Sequence, residues 1–117
     1  MDKLVPSVEV WDKVADTYTL EIENGEYQIA EEVENLLKAM GVEPGASLIE
    51  LGSGSGHLSA CLAMKGYKTA LFDFSPVALN KAKQTYDFYN LHGEFIQGDL
   101  MGENTPEKQY DCLLYTS

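Results

Sequence analysis

Residues 47–56, SLIELGSGSG, place three alternate glycines directly after a short apolar run. The run has the length and composition of a buried strand, it ends in Glu50, and the glycines are Gly52, Gly54 and Gly56. The nine residues that follow, HLSACLAMK, have the apolar spacing of a helix that a further glycine ends. Glycines let the backbone turn sharply and let a ligand approach closely, and the first turn of a helix offers free N–H donors. This stretch therefore predicts a strand, a tight turn and a helix that together hold a nucleotide.

The spacing of the glycines argues against a dinucleotide ligand. The dinucleotide fingerprint G-x-G-x-x-G requires a glycine where this chain has His57, so its register does not fit. The charge of Glu50 points the same way, because a carboxylate repels a pyrophosphate and attracts an ammonium group. S-adenosylmethionine carries an ammonium and a sulfonium group and no phosphate, so its charges suit this carboxylate.

On these residues the sequence resembles the class I S-adenosylmethionine-dependent methyltransferases. The first motif of that family is E/D-x-G-x-G-x-G, and it is matched here by Glu50, Gly52, Gly54 and Gly56. The resemblance implies a Rossmann-like α/β fold, with a mainly parallel sheet and helices on both faces, and S-adenosylmethionine as the cofactor. A glycine-rich turn that binds no ligand remains the alternative, because glycine motifs alone are weak signals.

The second predicted strand, residues 67–74, ends in an acid that fits a ribose-binding role. Asp73 stands 21 positions after Gly52, and in a parallel unit of this kind an acid at that distance can accept both ribose hydroxyls. Phe74 is expected to lie beside the adenine. The alternative is that Asp73 is only a turn or helix-start acid, although Ser75 already provides the N-cap of the next helix.

Two further segments continue the resemblance to the methyltransferase family. The segment DFSPVALNKAKQ fits the family pattern D-x-S-x-x-x-L-x-x-A, with Asp73, Ser75, Leu79 and Ala82 in register. Its helix is predicted to continue to about residue 89, a short strand follows at residues 93–97, and Gly98, Asp99 and Leu100 then match the family's G-D-x step. That step implies a carboxylate near the adenine amino group, with a simple turn acid as the alternative. The cofactor-binding residues implied in this way are Glu50, Gly52, Ser53, Gly54, Gly56, Asp73, Phe74, Asp99 and Leu100.

A first helix is predicted over residues 7–22, where apolar side chains recur three or four positions apart. The Asn24-Gly25 pair is expected to end it. Its segment VWDKVADTY resembles the helix that many small-molecule methyltransferases fold across the cofactor, so Trp11 and Tyr18 are candidate lid residues over cofactor or substrate. The alternative is that both are aromatic anchors that attach an amphipathic helix to the domain.

The chain is strongly acidic, with 19 acidic residues, 8 lysine and arginine residues and a formal net charge of −11. Such a charge repels phosphate backbones, and no basic patch is present, so nucleic acid is a poor candidate substrate. No apolar run approaches the roughly 20 residues of a membrane span, and the N-terminus lacks a secretory signal, so a cytoplasmic location is expected. The two cysteines have no metal-site spacing, and Cys61 is expected to be a small core residue.

The sequence is expected to hold the front half of one methyltransferase domain. Residues 1–45 supply helices that precede the sheet, including one over residues 26–40, and residues 46–117 supply the S-adenosylmethionine-binding half. The family core has seven strands and this sequence stops where the fourth is predicted to begin, near Tyr110, so a chain truncated near the fourth strand is expected. The last six residues, CLLYTS, are also encoded by one reading frame of a common sequencing adapter. We therefore expect residues 112–117 to be an artefact of assembly, with an ordinary buried strand as the alternative.

The resemblance implies transfer of the sulfonium methyl group of S-adenosylmethionine to a small-molecule acceptor, which is the one partner predicted. Because the positive sulfur already activates the methyl group, positioning of the two reactants supplies most of the catalysis. In the family, acceptor-binding residues lie after the fourth strand and in the N-terminal helix. No catalytic residue is therefore named, and this chain alone is expected to be inactive. Two alternatives remain, a non-catalytic module that binds an adenosine cofactor and a nicotinamide-dependent oxidoreductase, which the glycine register disfavours.

Overall fold

The computed structural model describes residues 20–98 and 110–115, which form a layer of helices on a four-stranded sheet. The helices and strands are, in chain order, α1 (Asn24–Ala39), β1 (Ser47–Leu51), α2 (His57–Met64), β2 (Lys68–Asp73), α3 (Pro76–Phe88), β3 (Glu94–Gln97) and β4 (Cys112–Tyr115). Within the described ranges, each predicted element is present, and most bounds differ from the prediction by a residue or two.

The strands lie in the order β3-β2-β1-β4, and each neighbouring pair runs parallel. At the centre, Glu50 of β1 is aligned with Leu71 of β2 and with Leu114 of β4. Parallel neighbours need long crossover connections, which α2 provides between β1 and β2 and α3 provides between β2 and β3. The chain therefore builds outward from β1 to β3 and then returns to place β4 on the other side of β1. The predicted Rossmann-like α/β fold is confirmed.

All three described helices pack on one face of the sheet. Side chains alternate between the two faces along a strand, so Leu48 and Leu71 point to the same side. Leu71 belongs to a buried cluster with α2 and α3, and Leu48 belongs to a second cluster with α1 and α2. Cys61 is 1% exposed within the first cluster and is the core residue that the sequence predicts. The buried members of the two clusters are Ile22, Ala30, Leu37, Leu48, Ala60, Cys61, Leu62, Tyr67, Leu71, Leu79, Ala82 and Tyr86.

The opposite face of the sheet is apolar as well. Ile49, Ala70 and Phe72 are each at most 3% exposed and form a third buried cluster, against which Leu51 and Ile96 pack. Parallel sheets with apolar side chains on both faces occur in α/β proteins, in which both faces are covered. The side-chain pattern of the second face agrees with the helices on both faces that the sequence predicts.

The start of α1 differs from the sequence prediction. Residues 20–22 are not helical, and the Asn24-Gly25 pair begins α1 instead of ending an earlier helix, so the predicted boundary is wrong. The physical reason is that the Glu26 carboxylate accepts the Glu23 backbone N–H at 2.9 Å, which satisfies a free donor at the helix start. The rest of the predicted first helix lies outside the described residues.

The start of α3 agrees with the sequence prediction. Ser75 is the N-cap, its Oγ accepts the Ala78 backbone N–H at 3.0 Å, and Pro76 occupies the first turn. Proline suits that position because its missing N–H would have no partner inside the helix. The helix therefore begins directly after the end of β2, which keeps the connection between them short.

The start of β4 is tied to the start of β1. The Asp111 carboxylate accepts the Ser47 backbone N–H at 2.8 Å and the Ser47 hydroxyl proton at 3.2 Å. These contacts set the register in which Cys112 lies beside Leu48. The segment Cys112–Tyr115 thus forms a strand, as the second of the two sequence interpretations expects. That residues 112–117 are an artefact of assembly stays a prediction.

Candidate functional site

The glycine-rich loop lies where the strand order of the sheet reverses. β1 has β2 on one side and β4 on the other, so the later strands are added on opposite sides of it. In open α/β sheets, such a reversal leaves a crevice beyond the carboxyl ends of the strands, and ligands bind there. Residues 52–56 follow β1 at this point, and Asp73 ends the neighbouring strand β2. We refer to residues 52–56 as the glycine loop.

The three glycines of the loop have backbone angles that only glycine adopts readily. The angle φ is +68° at Gly52, +58° at Gly54 and +77° at Gly56. The Gly52 backbone N–H donates to the Phe72 carbonyl of β2 at 2.8 Å, and this bond holds the loop against the neighbouring strand. The loop therefore makes the sharp turn that the sequence predicts.

Asp73 connects the end of β2 to the glycine loop. Its Oδ2 accepts the Gly54 backbone N–H at 2.9 Å, and its Oδ1 accepts the Ser75 backbone N–H at 3.0 Å. The side chain is partly exposed, and an ionised carboxylate offers about four acceptor positions. Asp73 thus orders the turn before α3, which agrees with its interpretation as a turn or helix-start acid. It also keeps free acceptor positions, which its interpretation as a ribose acceptor requires.

Glu50 lies beneath the glycine loop. Its side chain is 2% exposed, and its Oε1 accepts the Ser59 hydroxyl proton at 2.6 Å. Ser59 belongs to α2, so the carboxylate points to the helix-covered face of the sheet. A buried carboxylate is costly unless hydrogen bonds or an opposite charge compensate it. The Ser59 hydroxyl provides one such hydrogen bond, and the role of Glu50 toward a ligand stays a prediction.

Ser53 and Phe74 differ in the exposure of their side chains to a ligand. Ser53 is 6% exposed, and its Oγ has no hydrogen-bond partner among the residues that the structure describes. Phe74 follows β2 directly and is 38% exposed, so its aromatic face is accessible to a flat ring. Of these two predicted residues, Phe74 has the side chain that is open to solvent.

Gly56 has a packing role that the sequence pattern does not reveal. A Cβ at this position would lie 2.7 Å from the Ala82 Cβ of α3 and 3.0 Å from the Leu71 Cδ2 of β2. Protein interiors are close-packed and leave no room for such an atom without a shift of α3. The missing side chain therefore lets α3 approach the start of α2, and a contact between Gly56 and the cofactor stays a prediction.

His57 and Glu26 form a pair for which the sequence pattern predicts no role. His57 is the first residue of α2 and is 6% exposed, and its Nδ1 lies 2.7 Å from Glu26 Oε2. The other oxygen of Glu26 accepts the Glu23 backbone N–H. One carboxylate thus connects the start of α1 to the helix that follows the glycine loop. The paired residues are 31 positions apart, and no local pattern signals a contact over that distance.

The buried cysteine of α2 is not a nucleophile. Burial, with a smaller contribution from the Glu26 carboxylate, raises the pKa of the Cys61 thiol to about 11. The thiolate is the nucleophilic form of cysteine, so a thiol with this pKa stays protonated and inert at neutral pH. Cys61 therefore contributes packing and no chemistry.

Four of the predicted site residues lie outside the described part of the chain, namely Trp11, Tyr18, Asp99 and Leu100. Gly98 is described, and its backbone N–H donates to the Asp73 carbonyl at 3.1 Å. The end of β3 therefore lies beside the end of β2, at the same edge of the sheet as the glycine loop. The roles of the four residues stay predictions.

A concave region lies at the edge of the sheet opposite the glycine loop. It is an open groove of about 570 Å³, lined by residues at the amino ends of the strands, among them Ser47, Lys68 and Glu94. None of its lining residues is a predicted site residue. Because ligands of this fold class bind at the carboxyl ends of the strands, we assign the candidate site to the glycine loop.

Within residues 20–98 and 110–115, no three His, Cys, Asp or Glu side chains are grouped so that they could hold a metal ion. Over the same ranges, no helix combines the length and the hydrophobicity that crossing a membrane requires. The polar groups at the candidate site include the carboxylates of Glu50 and Asp73 and the backbone N–H groups of the loop.

A family model described as a methyltransferase domain matches residues 48–117. Over 73 residues the chain is 30% identical to ribosomal protein L11 methyltransferase from a Nitratiruptor species, with 62% of this chain and 25% of that protein aligned. Over 82 residues it is 28% identical to ribosomal RNA small subunit methyltransferase C from Chromohalobacter salexigens, with 70% and 24% aligned. The chain thus spans about a quarter of the length of these two relatives.

A similar solved structure is that of an S-adenosylmethionine-dependent methyltransferase from Thiobacillus denitrificans in complex with S-adenosyl-L-homocysteine. The TM-score is 0.64 at 23% sequence identity, and the superposition covers 98% of this chain and 44% of that one. At this level of identity the similarity shows a shared fold.

Proposed function

The chain belongs to the methyltransferase domain family, and on this premise we propose that it binds S-adenosylmethionine at the glycine loop for methyl transfer to a small molecule. The observation that carries the proposal is the hydrogen bond between the Asp73 carboxylate and the Gly54 N–H, at the carboxyl ends of the strands. When bound, S-adenosylmethionine supplies a methyl group that its positive sulfur activates. The protein supplies binding, orientation and charge.

Asp73 is proposed to accept the ribose hydroxyls of the cofactor. Two of its acceptor positions are used by the Gly54 and Ser75 N–H groups, and about two remain. Hydrogen bonds to an ionised carboxylate are shorter and stronger than those between neutral groups. The two backbone bonds also hold the carboxylate in one orientation, so a ribose meets acceptors that are already in place.

Glu50 is proposed to attract the ammonium group of the cofactor. It is buried beneath the loop, where an unscreened negative charge acts more strongly than it would in water. The same charge would repel the pyrophosphate of NAD. Together with the glycine register, this supports S-adenosylmethionine over a nicotinamide cofactor.

The adenine end is proposed to lie against Phe74, whose side chain is 38% exposed beside Asp73. The proposal places Asp99 and Leu100 next to the adenine, and it keeps Trp11 and Tyr18 as lid residues. These four residues lie outside the described part of the chain. The hydrogen bond between Gly98 and Asp73 supports the position of Asp99, because it brings the end of β3 to the site.

The proposed acceptor is a small molecule, because the formal net charge of −11 repels the phosphate backbones of nucleic acids. By their names, the two relatives act on a ribosomal protein and on ribosomal RNA, so family membership alone does not select the acceptor class. No catalytic base is assigned. Since the chain covers about a quarter of these relatives, we propose that it binds the cofactor without turnover by itself.

The proposal is tested by photochemical cross-linking of S-adenosylmethionine with a radioactive methyl group to the purified chain. We expect labelling that excess S-adenosylhomocysteine abolishes and that excess NAD leaves unchanged. Peptide mapping is expected to find the label within residues 52–56 or at Asp73 and Phe74. Labelling that NAD removes equally well, or labelling at a different region, would contradict the proposed site.

The same labelled cofactor tests the predicted lack of turnover. The chain is incubated with a cell extract, and the label is counted in the small-molecule, protein and RNA fractions. We expect no transfer above a sample without the chain. Transfer into any fraction would contradict the lack of turnover, and transfer into protein or RNA would also contradict a small-molecule acceptor.

A further inference from the structure

Among the residues that the structure describes, side-chain contacts join α1 to α2 at both ends of α2. At the start of α2, His57 Nδ1 lies 2.7 Å from Glu26 Oε2, and we refer to this contact as the loop-end bridge. Just past the end of α2, Lys65 Nζ lies 3.1 Å from Glu34 Oε1, and we refer to this contact as the far-end bridge. From one bridge to the other, the chain advances by the same number of residues along both helices. The two helices therefore run side by side in the same direction.

The loop-end bridge joins groups that have little freedom to move. His57 is buried, so its ring has little room to turn. A nitrogen and an oxygen 2.7 Å apart need a proton between them, because two acceptors at this distance would repel each other. The second oxygen of Glu26 accepts the Glu23 backbone N–H at 2.9 Å, which holds the carboxylate against the start of α1. The bridge thus connects the start of one helix firmly to the start of the other.

The loop-end bridge acts on the last residue of the glycine loop. His57 follows Gly56 directly in the chain, and Gly56 accepts the Ala60 N–H at 2.9 Å as part of the first turn of α2. Gly56 also donates its own N–H to the Ser53 carbonyl at 3.0 Å, so a shift of this turn moves the loop with it. The earlier part of the loop is held by hydrogen bonds to β2. The bridge to α1 therefore supports the end of the loop separately from the bonds that support its beginning.

We propose that Glu26 is a positioning residue for the cofactor site, because through His57 it keeps the end of the glycine loop in the arrangement that binds S-adenosylmethionine. The inference rests on the proposed function, which places the cofactor at that loop. It adds a residue of α1 to those on which cofactor affinity depends, and Glu26 acts through His57 without contacting the ligand. The far-end bridge joins the same two helices away from the loop, so its loss is expected to leave the affinity unchanged.

The size of the effect follows from the fraction of molecules in which the loop has the binding arrangement. When that arrangement is only partly populated, the apparent dissociation constant rises by the inverse of the populated fraction. We expect the loop to hold the binding arrangement about a fifth of the time without the loop-end bridge, so binding weakens about fivefold. This loss is smaller than the one expected for a residue that contacts the cofactor, because the ligand keeps all of its own contacts.

Two substitutions at His57 separate the roles of its ring nitrogens. In His57→Asn the amide nitrogen takes about the position of Nδ1, while in His57→Gln it takes about the position of Nε2. Only the asparagine variant can therefore donate a proton to Glu26. In calorimetric titration of the full chain with S-adenosylmethionine, we expect His57→Asn to bind within about twofold of the wild type. His57→Gln and Glu26→Ala are expected to bind about fivefold more weakly.

Glu34→Ala is the matched control for Glu26→Ala. It removes the carboxylate of the far-end bridge, which also contacts Lys38 at 3.3 Å, so each variant loses two contacts of one glutamate of α1. A role limited to stability would change the urea denaturation of a variant without changing the affinity of its folded chain. We expect Glu34→Ala to keep the wild-type affinity and Glu26→Ala to lose affinity.

Hydrogen exchange of the chain without ligand gives a second readout, which does not depend on cofactor binding. In Glu26→Ala and His57→Gln, the Gly54 and Gly56 N–H groups are expected to exchange about fivefold faster or more, because the loop opens more often. Exchange within α3 is expected to stay unchanged, since a local opening leaves that helix protected. His57→Asn and Glu34→Ala are expected to exchange like the wild type.

Equal affinities of His57→Asn and His57→Gln would overturn the inference, as would equal losses in Glu26→Ala and Glu34→Ala. Unchanged exchange of the glycine loop in Glu26→Ala would overturn it independently of any ligand. A folded wild-type chain that binds no S-adenosylmethionine would contradict the proposed function, and hydrogen exchange would still decide whether the bridge holds the loop. If Glu26→Ala does not fold, the comparison of the two His57 variants decides.

Discussion

The carboxylate of Asp73 accepts the backbone N–H of Gly54 at 2.9 Å, across the gap between the ends of two neighbouring strands. Its second oxygen accepts the Ser75 N–H at 3.0 Å, so one side chain orders both the glycine loop and the entry into α3. This relationship joins two halves of the site that lie 19 positions apart in the sequence. It also means that Asp73 contributes to stability, in addition to the ribose-binding role that we propose for it.

Asp73→Ala is expected to weaken S-adenosylmethionine binding by about ten- to a hundredfold. The variant loses charge-assisted hydrogen bonds to the ribose, which contribute roughly 1.5 to 3 kcal/mol. It also leaves the Gly54 and Ser75 N–H groups without their partner, so the free energy of unfolding is expected to fall by about 1 to 2 kcal/mol. Calorimetric titration measures the affinity, and urea denaturation measures the stability.

Asp87→Ala is the matched control, because Asp87 is an exposed acid on α3. It removes the same carboxylate without touching the loop, and it is expected to leave affinity and stability close to the wild-type values. Unchanged affinity in a folded Asp73→Ala variant would contradict the ribose-binding role.

Gly56→Ala is expected to lower the free energy of unfolding by about 2 to 4 kcal/mol. The substitution combines the cost of a left-handed backbone with the overlap between the new Cβ and the Ala82 Cβ, 2.7 Å away. Gly25→Ala is the matched control. Gly25 lies in the first turn of α1, and a Cβ added there would meet no atom within 4 Å. Equal stability of the two variants in urea denaturation would contradict the packing role of Gly56.

Stability is expected to fall as the pH rises above about 9, partly because of Cys61. Burial raises the pKa of this thiol from 9.0 to about 11, so between these values the unfolded chain loses a proton that the folded chain keeps. Because the unfolded state then binds fewer protons, the free energy of unfolding decreases as the pH rises through this window. Below the window, the stabilising contribution of the protonated Cys61 thiol is fully present. Cys61→Ala is expected to show a shallower decrease in urea denaturation under reducing conditions. An identical pH dependence in wild type and variant would contradict this assignment.

The position of the glycine loop beside the end of β2 could be predicted because both parts leave local signals. Alternate glycines after an apolar run indicate a sharp turn, and an acid at the end of the next strand must lie beside that turn when the strands are parallel neighbours. The structure adds the hydrogen bond between the Asp73 carboxylate and the Gly54 N–H, which these signals alone do not predict. The start of α1 could not be predicted from the Asn24-Gly25 pair, because the pair favours a helix end and the side chain of Glu26 overrides it.

The surroundings of Glu50 could not be predicted from the sequence. Ser59 resembles any small residue on the buried side of a helix, and Tyr86 resembles an ordinary aromatic core residue. Ser59 reaches Glu50 only when α2 packs on β1, and Tyr86 reaches Thr69 only when α3 packs on β2, and no local pattern signals either contact. The pair of His57 and Glu26 is hidden from sequence patterns for the same reason.

The central claim is that the glycine loop binds S-adenosylmethionine, and calorimetric titration of the wild-type chain with this cofactor and with NAD tests it most directly. The negative charge of Glu50 and the glycine register predict saturable binding of S-adenosylmethionine and no measurable heat with NAD. Tight binding of NAD, or the absence of S-adenosylmethionine binding by the folded chain, would contradict the account.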